Sequence, residues 1–319
     1  MKNKFIFNDL DDEVIELPRL KTEKKDSKDK KVKPSNKKVN NKTSKKKLVL
    51  KKKFIILFLI IFLSLGFYSG YNIISWMMDA KRLKTQIENL QDTTRVEEVL
   101  DTDATKIVNP PEEDEENPYW DYIKMNLINV DFTKLKKINS DTVGWIQVKG
   151  TNINYPFVQT SDNSYYLKKD FNKNNNSAGW VFIDYRNNII NFDKNTIIYA
   201  HGRVDGTMFG SLKNIMSSNW YNDEDNYIVK LSTEYENTLW QVFSVYKVPA
   251  ISDYLQTQFS SNDEYNNFLN MLINRSEFKF NVSSNENDKI LTLSTCYKEN
   301  DRVVLHAKLI KMEVRNGNN

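Results

Sequence analysis

The chain of 319 residues is 39% hydrophobic and 28% charged, enough apolar side chain for at least one sizeable core. Its net charge of +4 conceals an asymmetry: residues 1–53 hold 19 Lys and Arg against 8 Asp and Glu, leaving 27 against 34 for the remainder. The basic surplus belongs to one aromatic-poor tail, so the composition argues against nucleic acid as a partner of the folded part.

Residues 1–53 are rich in Lys, Asn, Ser and Asp and cannot bury enough apolar surface to fold alone, which predicts a disordered tail. Phe54 to Met78 then runs for 25 positions without a charge, long enough to cross a hydrocarbon core of about 30 Å as a helix. Lys51, Lys52 and Lys53 abut its N-terminal end, so the positive-inside preference predicts a cytoplasmic tail and an extracytoplasmic remainder. Membrane lipid is thus an expected partner through 54–78. A cleaved signal peptide would have a shorter basic region and a small-x-small site after the span, so an uncleaved anchor is the preferred reading.

Between 79 and 117, Leu83, Ile87, Leu90, Val96 and Leu100 recur among charges and predict an exposed, stalk-like helix over Asp79 to about Leu100. The run Asn109-Pro-Pro-Glu-Glu-Asp-Glu-Glu-Asn-Pro118 breaks any helix and predicts an acidic linker, with the folded domain over 118–315. Within that domain eight β-rich runs stand out: 145–149, 153–159, 180–184, 196–200, 227–231, 239–248, 290–296 and 302–312. Helical signals are fewer, at 119–129, 208–216 and 261–274, the last opened by the capping box Ser261-Asn-Asp-Glu264. The expected fold is mainly β: an eight-stranded barrel with a few peripheral helices, preceded by one transmembrane helix.

The chain has a single cysteine, Cys296, which excludes an intramolecular disulfide and leaves a buried inert thiol, an intermolecular bridge or a reactive centre. Cys296 ends a predicted strand, and Tyr297-Lys-Glu-Asn-Asp301 reads as the turn of a hairpin whose return strand opens with Arg302. Across such a hairpin the two residues face each other at about 5 Å, so a guanidinium stands by the thiol and can also bind a carbonyl oxygen as charge develops. A thiol nucleophile needs a proton carrier, and only His201 and His306 are available. His306 lies four residues along the strand from Arg302, about 13 Å away, too far for proton transfer. His201 instead ends the predicted strand Thr196-Ile-Ile-Tyr-Ala200 and begins the loop Gly202-Arg-Val-Asp-Gly206.

Three segments, Tyr199-Ala-His201-Gly-Arg-Val-Asp-Gly206-Thr-Met-Phe-Gly210-Ser-Leu212, Thr292-Leu-Ser-Thr-Cys296 and Arg302-Val-Val-Leu-His-Ala-Lys-Leu309, in this order and spacing, resemble the class B sortases. The likeness extends over roughly 117–314 and takes in Gly179-Trp-Val-Phe-Ile-Asp184. It implies a sortase-type barrel in which Cys296 attacks the Thr carbonyl of a C-terminal sorting signal, His201 acts as general acid and base, and Arg302 steadies the carbonyl oxygen. The implied partners are surface proteins bearing that signal and an amine acceptor from a peptidoglycan precursor or a pilin, with no metal or organic cofactor. Ser294 and Thr295, beside the thiol, are candidate groove residues or strand-end residues that merely satisfy the backbone. Asp205 precedes Gly206 and reads as a turn residue, outside the site. Two rival functions remain at this stage: a non-catalytic cell-surface peptide-binding module and a thiol hydrolase without transfer.

Overall fold

The computed structural model describes residues 44–111, 117–297 and 301–315, and for 44–50, 296 and 297 the backbone alone. The expected disordered tail up to 43, the acids at 112–116 and the turn residues 298–300 lie outside the described residues. The chain divides into two units, Met1–Asn72 and Ile73–Asn319. The described part of the first belongs to helix α1 (Ser44–Thr93), the one helix among the described residues long and apolar enough to cross a membrane by length and composition. Its side chains at 54–63 are all exposed, as lipid-facing side chains would be.

In the second unit the last turns of α1 lead to β1 (Val96–Val99), β2 (Thr105–Ile107), α2 (Tyr119–Tyr122), β3 (Leu127–Val130) and α3 (Thr133–Ile138). There follow β4 (Thr142–Val148), β5 (Asn154–Val158), β6 (Phe182–Ile183), β7 (Asn195–Ala200), α4 (Ser218–Tyr221), β8 (Ile228–Thr233) and β9 (Glu236–Pro249). Helix α5 (Asn262–Asn274), β10 (Ile290–Tyr297) and β11 (Asp301–Val314) complete the chain. Strands β10-β7-β6-β5-β4-β8-β9-β11 are neighbours in that order, and β11 pairs back onto β10, which closes an eight-stranded barrel. The barrel expected from the sequence is therefore present.

Burial on both faces explains why these strands read as near-continuous apolar runs. Inward residues such as Trp145, Phe157, Trp180, Val242, Val245, Leu291, Leu293, Val303 and Leu305 fill one core. Alternate residues of β9, β10 and β11, including Phe243, Tyr246, Ile290 and Val304, form a second core with Tyr265, Phe268, Leu269 and Leu272 of α5. Ser261 caps α5, its Oγ accepting from the Glu264 amide at 3.1 Å. The Glu264 carboxylate reaches back one residue further than a capping box does, taking the Ser260 amide at 2.6 Å and the Ser260 hydroxyl at 2.5 Å.

Three helical expectations are corrected. The stalk-like helix ends at Thr93, and its Leu83, Ile87 and Leu90 are buried in the main core, so its apolar stripe faces protein and not solvent. Val96 to Val99, read as a continuation of that helix, pairs as β1 with β3. The helix expected over 119–129 stops at Tyr122, because Leu127–Val130 is drawn into this two-stranded sheet and the Val130 amide donates to the Ser232 hydroxyl at 3.2 Å. The segment 208–216 forms a 3₁₀ helix from Gly210 to Met216. It starts late because a bridge between Gly202 and Met208 and a 3.0 Å bond from the Phe209 amide to the His201 carbonyl first fold the chain back on β7.

Candidate active site

Two registers bring the candidate residues to one end of the barrel. Strand β10 runs parallel to β7 with Thr295 opposite Ala200, so Cys296 and His201 are each one residue past the last pair. In the antiparallel direction Cys296 is opposite Arg302, itself opposite Val248 of β9. Paired backbones lie about 5 Å apart, so the chain at 201, 296 and 302 converges on one barrel mouth. The side chain of Cys296 lies outside the described atoms; the backbone register alone fixes its position.

His201 is half-buried, with Nε2 2.8 Å from the Leu167 carbonyl oxygen. A carbonyl only accepts, so Nε2 carries the hydrogen and Nδ1 of the neutral ring holds the lone pair. Gly179 backs this arrangement at φ +60°. A Cβ there would stand 2.5 Å from the Tyr166 carbonyl oxygen, 2.9 Å from that of Leu167 and 3.0 Å from His201 Cδ2. Sequence reasoning did not find Leu167, since a backbone carbonyl leaves no residue-type signal. The only trace of the cradle was the glycine itself.

The loop after His201 is held by its own side chains. The Arg203 Nη2 donates to Asp205 at 2.6 Å, and the Asp205 carboxylate accepts the Thr207 amide at 3.1 Å and the Thr207 hydroxyl at 2.6 Å. Burial opposes the charge on Asp205, but the bonds from Arg203 and Thr207 outweigh it and hold the carboxyl below its usual range. Asp205 is a turn residue, as its place before Gly206 suggested. Gly210 is pressed against the same loop, where a Cβ would lie 2.1 Å from the Arg203 carbonyl oxygen.

Arg302 is half-buried and its Nη1 donates to the Asp301 carbonyl at 3.1 Å. Among the described residues no carboxylate lies within ion-pair reach of its guanidinium, which leaves hydrogen-bonding capacity for an oxygen brought to the site. Ser294 and Thr295 are both buried with partners inside the fold: Ser294 Oγ is 2.9 Å from the Tyr254 hydroxyl, and Thr295 Oγ1 donates to the Ala200 carbonyl at 2.8 Å. These bonds fasten β10 to the 254 loop and to β7.

His306 is fully buried, with Nδ1 2.8 Å from Thr292 Oγ1 and Nε2 2.8 Å from the Tyr246 hydroxyl. Thr292 donates to Asn195 Oδ1, so it accepts from Nδ1–H, and Tyr246 donates to Nε2. Burial, with Arg275 nearby, depresses its pKa to about 3. It is a neutral member of a structural network. Among the described residues no group of three or more His, Cys, Asp or Glu side chains is arranged to hold a metal ion.

Comparison with known proteins identifies the family of the barrel. The profile of the sortase domain matches residues 146–310, from β4 into β11 and more than half of the chain. Sortase B of Staphylococcus aureus is 38% identical over 185 residues, covering 57% of this chain and 75% of its own length. A solved S. aureus sortase B–substrate complex aligns at a TM-score of 0.53 and 37% identity over 56% of this chain and 84% of that one. Sortase B of Bacillus anthracis aligns at a TM-score of 0.59 and 32% identity, over 74% of this chain and 99% of that one. The family profile spans the very strands that carry 201, 296 and 302, and the chain thus belongs to the sortases, a family of cysteine transpeptidases, in their class B branch.

Proposed function

We propose that this chain is a membrane-anchored, extracytoplasmic transpeptidase that cuts a C-terminal sorting signal after Thr and joins the shortened protein to an amine. The observation that carries the reading is the pair of registers around β10, with Thr295 beside Ala200 and Cys296 beside Arg302. In the first step Nδ1 of His201 takes the Cys296 thiol proton and the sulfur attacks the Thr carbonyl carbon. Negative charge gathers on the carbonyl oxygen, where Arg302 donates hydrogen bonds to it. The imidazolium returns the proton to the departing amine, the C–N bond breaks, and a thioester remains. An acceptor amine then attacks the thioester, passes a proton to His201 and displaces the thiolate, which regains that proton. An imidazole can both accept and return a proton near neutral pH, which suits histidine to both transfers.

Donor and acceptor are read from the family. The staphylococcal relative has been solved as a substrate complex, and here the donor is a surface protein with a sorting signal and the acceptor an amine of a peptidoglycan precursor or a pilin. The span 54–78, flanked by Lys51 to Lys53, supports an anchor with the N-terminus in the cytoplasm and the barrel outside. The purified full chain in detergent, given a pentapeptide library and candidate amines, should form amine-linked products detectable by mass spectrometry. In Cys296→Ala transfer should fall by on the order of 10³-fold or more, the scale seen when a nucleophile is removed. Full activity in that variant would refute the assignment.

A further inference from the structure

Within the second unit, residues 76–79 of α1 meet the loop that follows His201 and the segment that holds its ring. A 25-residue helix is about 37 Å long, some five residues more than a hydrocarbon core of about 30 Å needs. With Lys51 to Lys53 at one surface, Trp76 falls at the other, in the headgroup layer where Trp is enriched. Trp76 belongs to the second unit, and the Arg203 guanidinium carbon lies 5.6 Å from its ring centroid. One turn on, Asp79, the first charge after the span, accepts from the Ser177 hydroxyl at 3.4 Å. Trp76 lies on the same helix face as Leu83, Ile87 and Leu90, which are buried in the main core, but is itself 45% exposed, so that face is covered from Leu83 on and open at Trp76 except for Arg203.

The loop that meets Trp76 follows His201 directly. At its tip Val204 is 87% exposed, the most exposed large apolar side chain among the described residues. The segment that meets Asp79 is the one whose Leu167 carbonyl holds the imidazole, and it presents Lys168, Lys169 and the ring of Tyr165. Apolar tip, aromatic edge and lysines together suit a headgroup surface with anionic lipid.

We propose that the loop 201–208, led by Val204, and the adjoining segment 165–177 rest on the headgroups of the membrane that holds the chain's own anchor. The thiol end of β10 then faces that membrane and takes substrates tethered in it. This rests on the membrane-anchor reading of 54–78.

Site-directed spin labels on the full chain test both. In a Cys296→Ser background, Phe62→Cys, Val204→Cys and Asn287→Cys are labelled singly and reconstituted in phosphatidylglycerol–phosphatidylethanolamine vesicles. Collision with a water-soluble nickel chelate is compared with collision with lipid-soluble oxygen. Asn287 is exposed and lies just before the start of β10, away from His201, so its label should be nickel-accessible. The label at 62 should see oxygen alone, and the label at 204 should show a clear loss of nickel collision relative to 287. A label at 204 as open to nickel as that at 287, with 62 in lipid, overturns the headgroup contact alone. Nickel access at 62 overturns the anchor reading and the contact with it.

Discussion

Gly179 sets how the imidazole sits. At φ +60° an L-residue is strained by about 1–2 kcal/mol, and a methyl group would also push on the Leu167 carbonyl and the His201 ring. Gly179→Ala should therefore lower stability by at least that amount. If His201 is the proton carrier of the proposed reaction, the effect on transfer should be larger, because a shift of such a group by about 1 Å costs up to on the order of 10²-fold. A urea midpoint and a single-turnover rate on the same sample separate the two effects. His306 makes the opposite case, a histidine whose value is to stay uncharged. Its pKa is about 3 in the fold against about 6.5 when unfolded, so between those values the unfolded chain binds the extra proton. Its contribution is complete above about 6.5 and is lost as pH falls toward 3, with a slope of at most about 1.4 kcal/mol per pH unit. Urea midpoints from pH 7 to 4 should fall, and His306→Gln should be weaker at pH 7 yet fall less steeply.

Helix α5 owes its start to Ser261 and its position to Tyr265, Phe268, Leu269 and Leu272. Ser261→Ala removes the acceptor for the Glu264 amide and should cost about 1 kcal/mol, read as a lower thermal midpoint. Such a helix is legible in the sequence because its cap and its 3.6-residue apolar period are local. The eight barrel strands were legible for a similar reason: each contains a β-rich run bounded by turn residues. What local pattern did not convey was the pairing of β1 with β3. Val96–Val99 falls at the end of one expected helix and residues 127–129 at the end of another, and the two segments are each other's partners. A hydrogen-bond ladder between stretches thirty residues apart has no imprint on the period of either.

At the scale of the molecule, the region expected to be a stalk is part of the folded unit. Leu83 is fully buried, so Leu83→Ala should destabilise the barrel domain by about 2–5 kcal/mol, measured by chemical unfolding. An exposed stalk residue would change nothing. The candidate site was legible through residue types and order: one cysteine, two histidines, and an arginine a hairpin away. The carbonyl and the glycine that hold His201 were not, because they act through backbone and close approach. The closure of the barrel adds a further consequence. Thr295 and Ala200 are 95 residues apart along the chain yet bonded across parallel strands, a contact that forms late because so long a loop must first be closed. Arg302 is brought opposite Cys296 by the local β10–β11 hairpin, but until β10 docks on β7 the lone thiol has no imidazole strand beside it. On the proposed function, folding would act as a safety catch: the chain would become reactive in the same event that finishes its architecture, and the onset of transfer would serve as a clock for the final step of assembly.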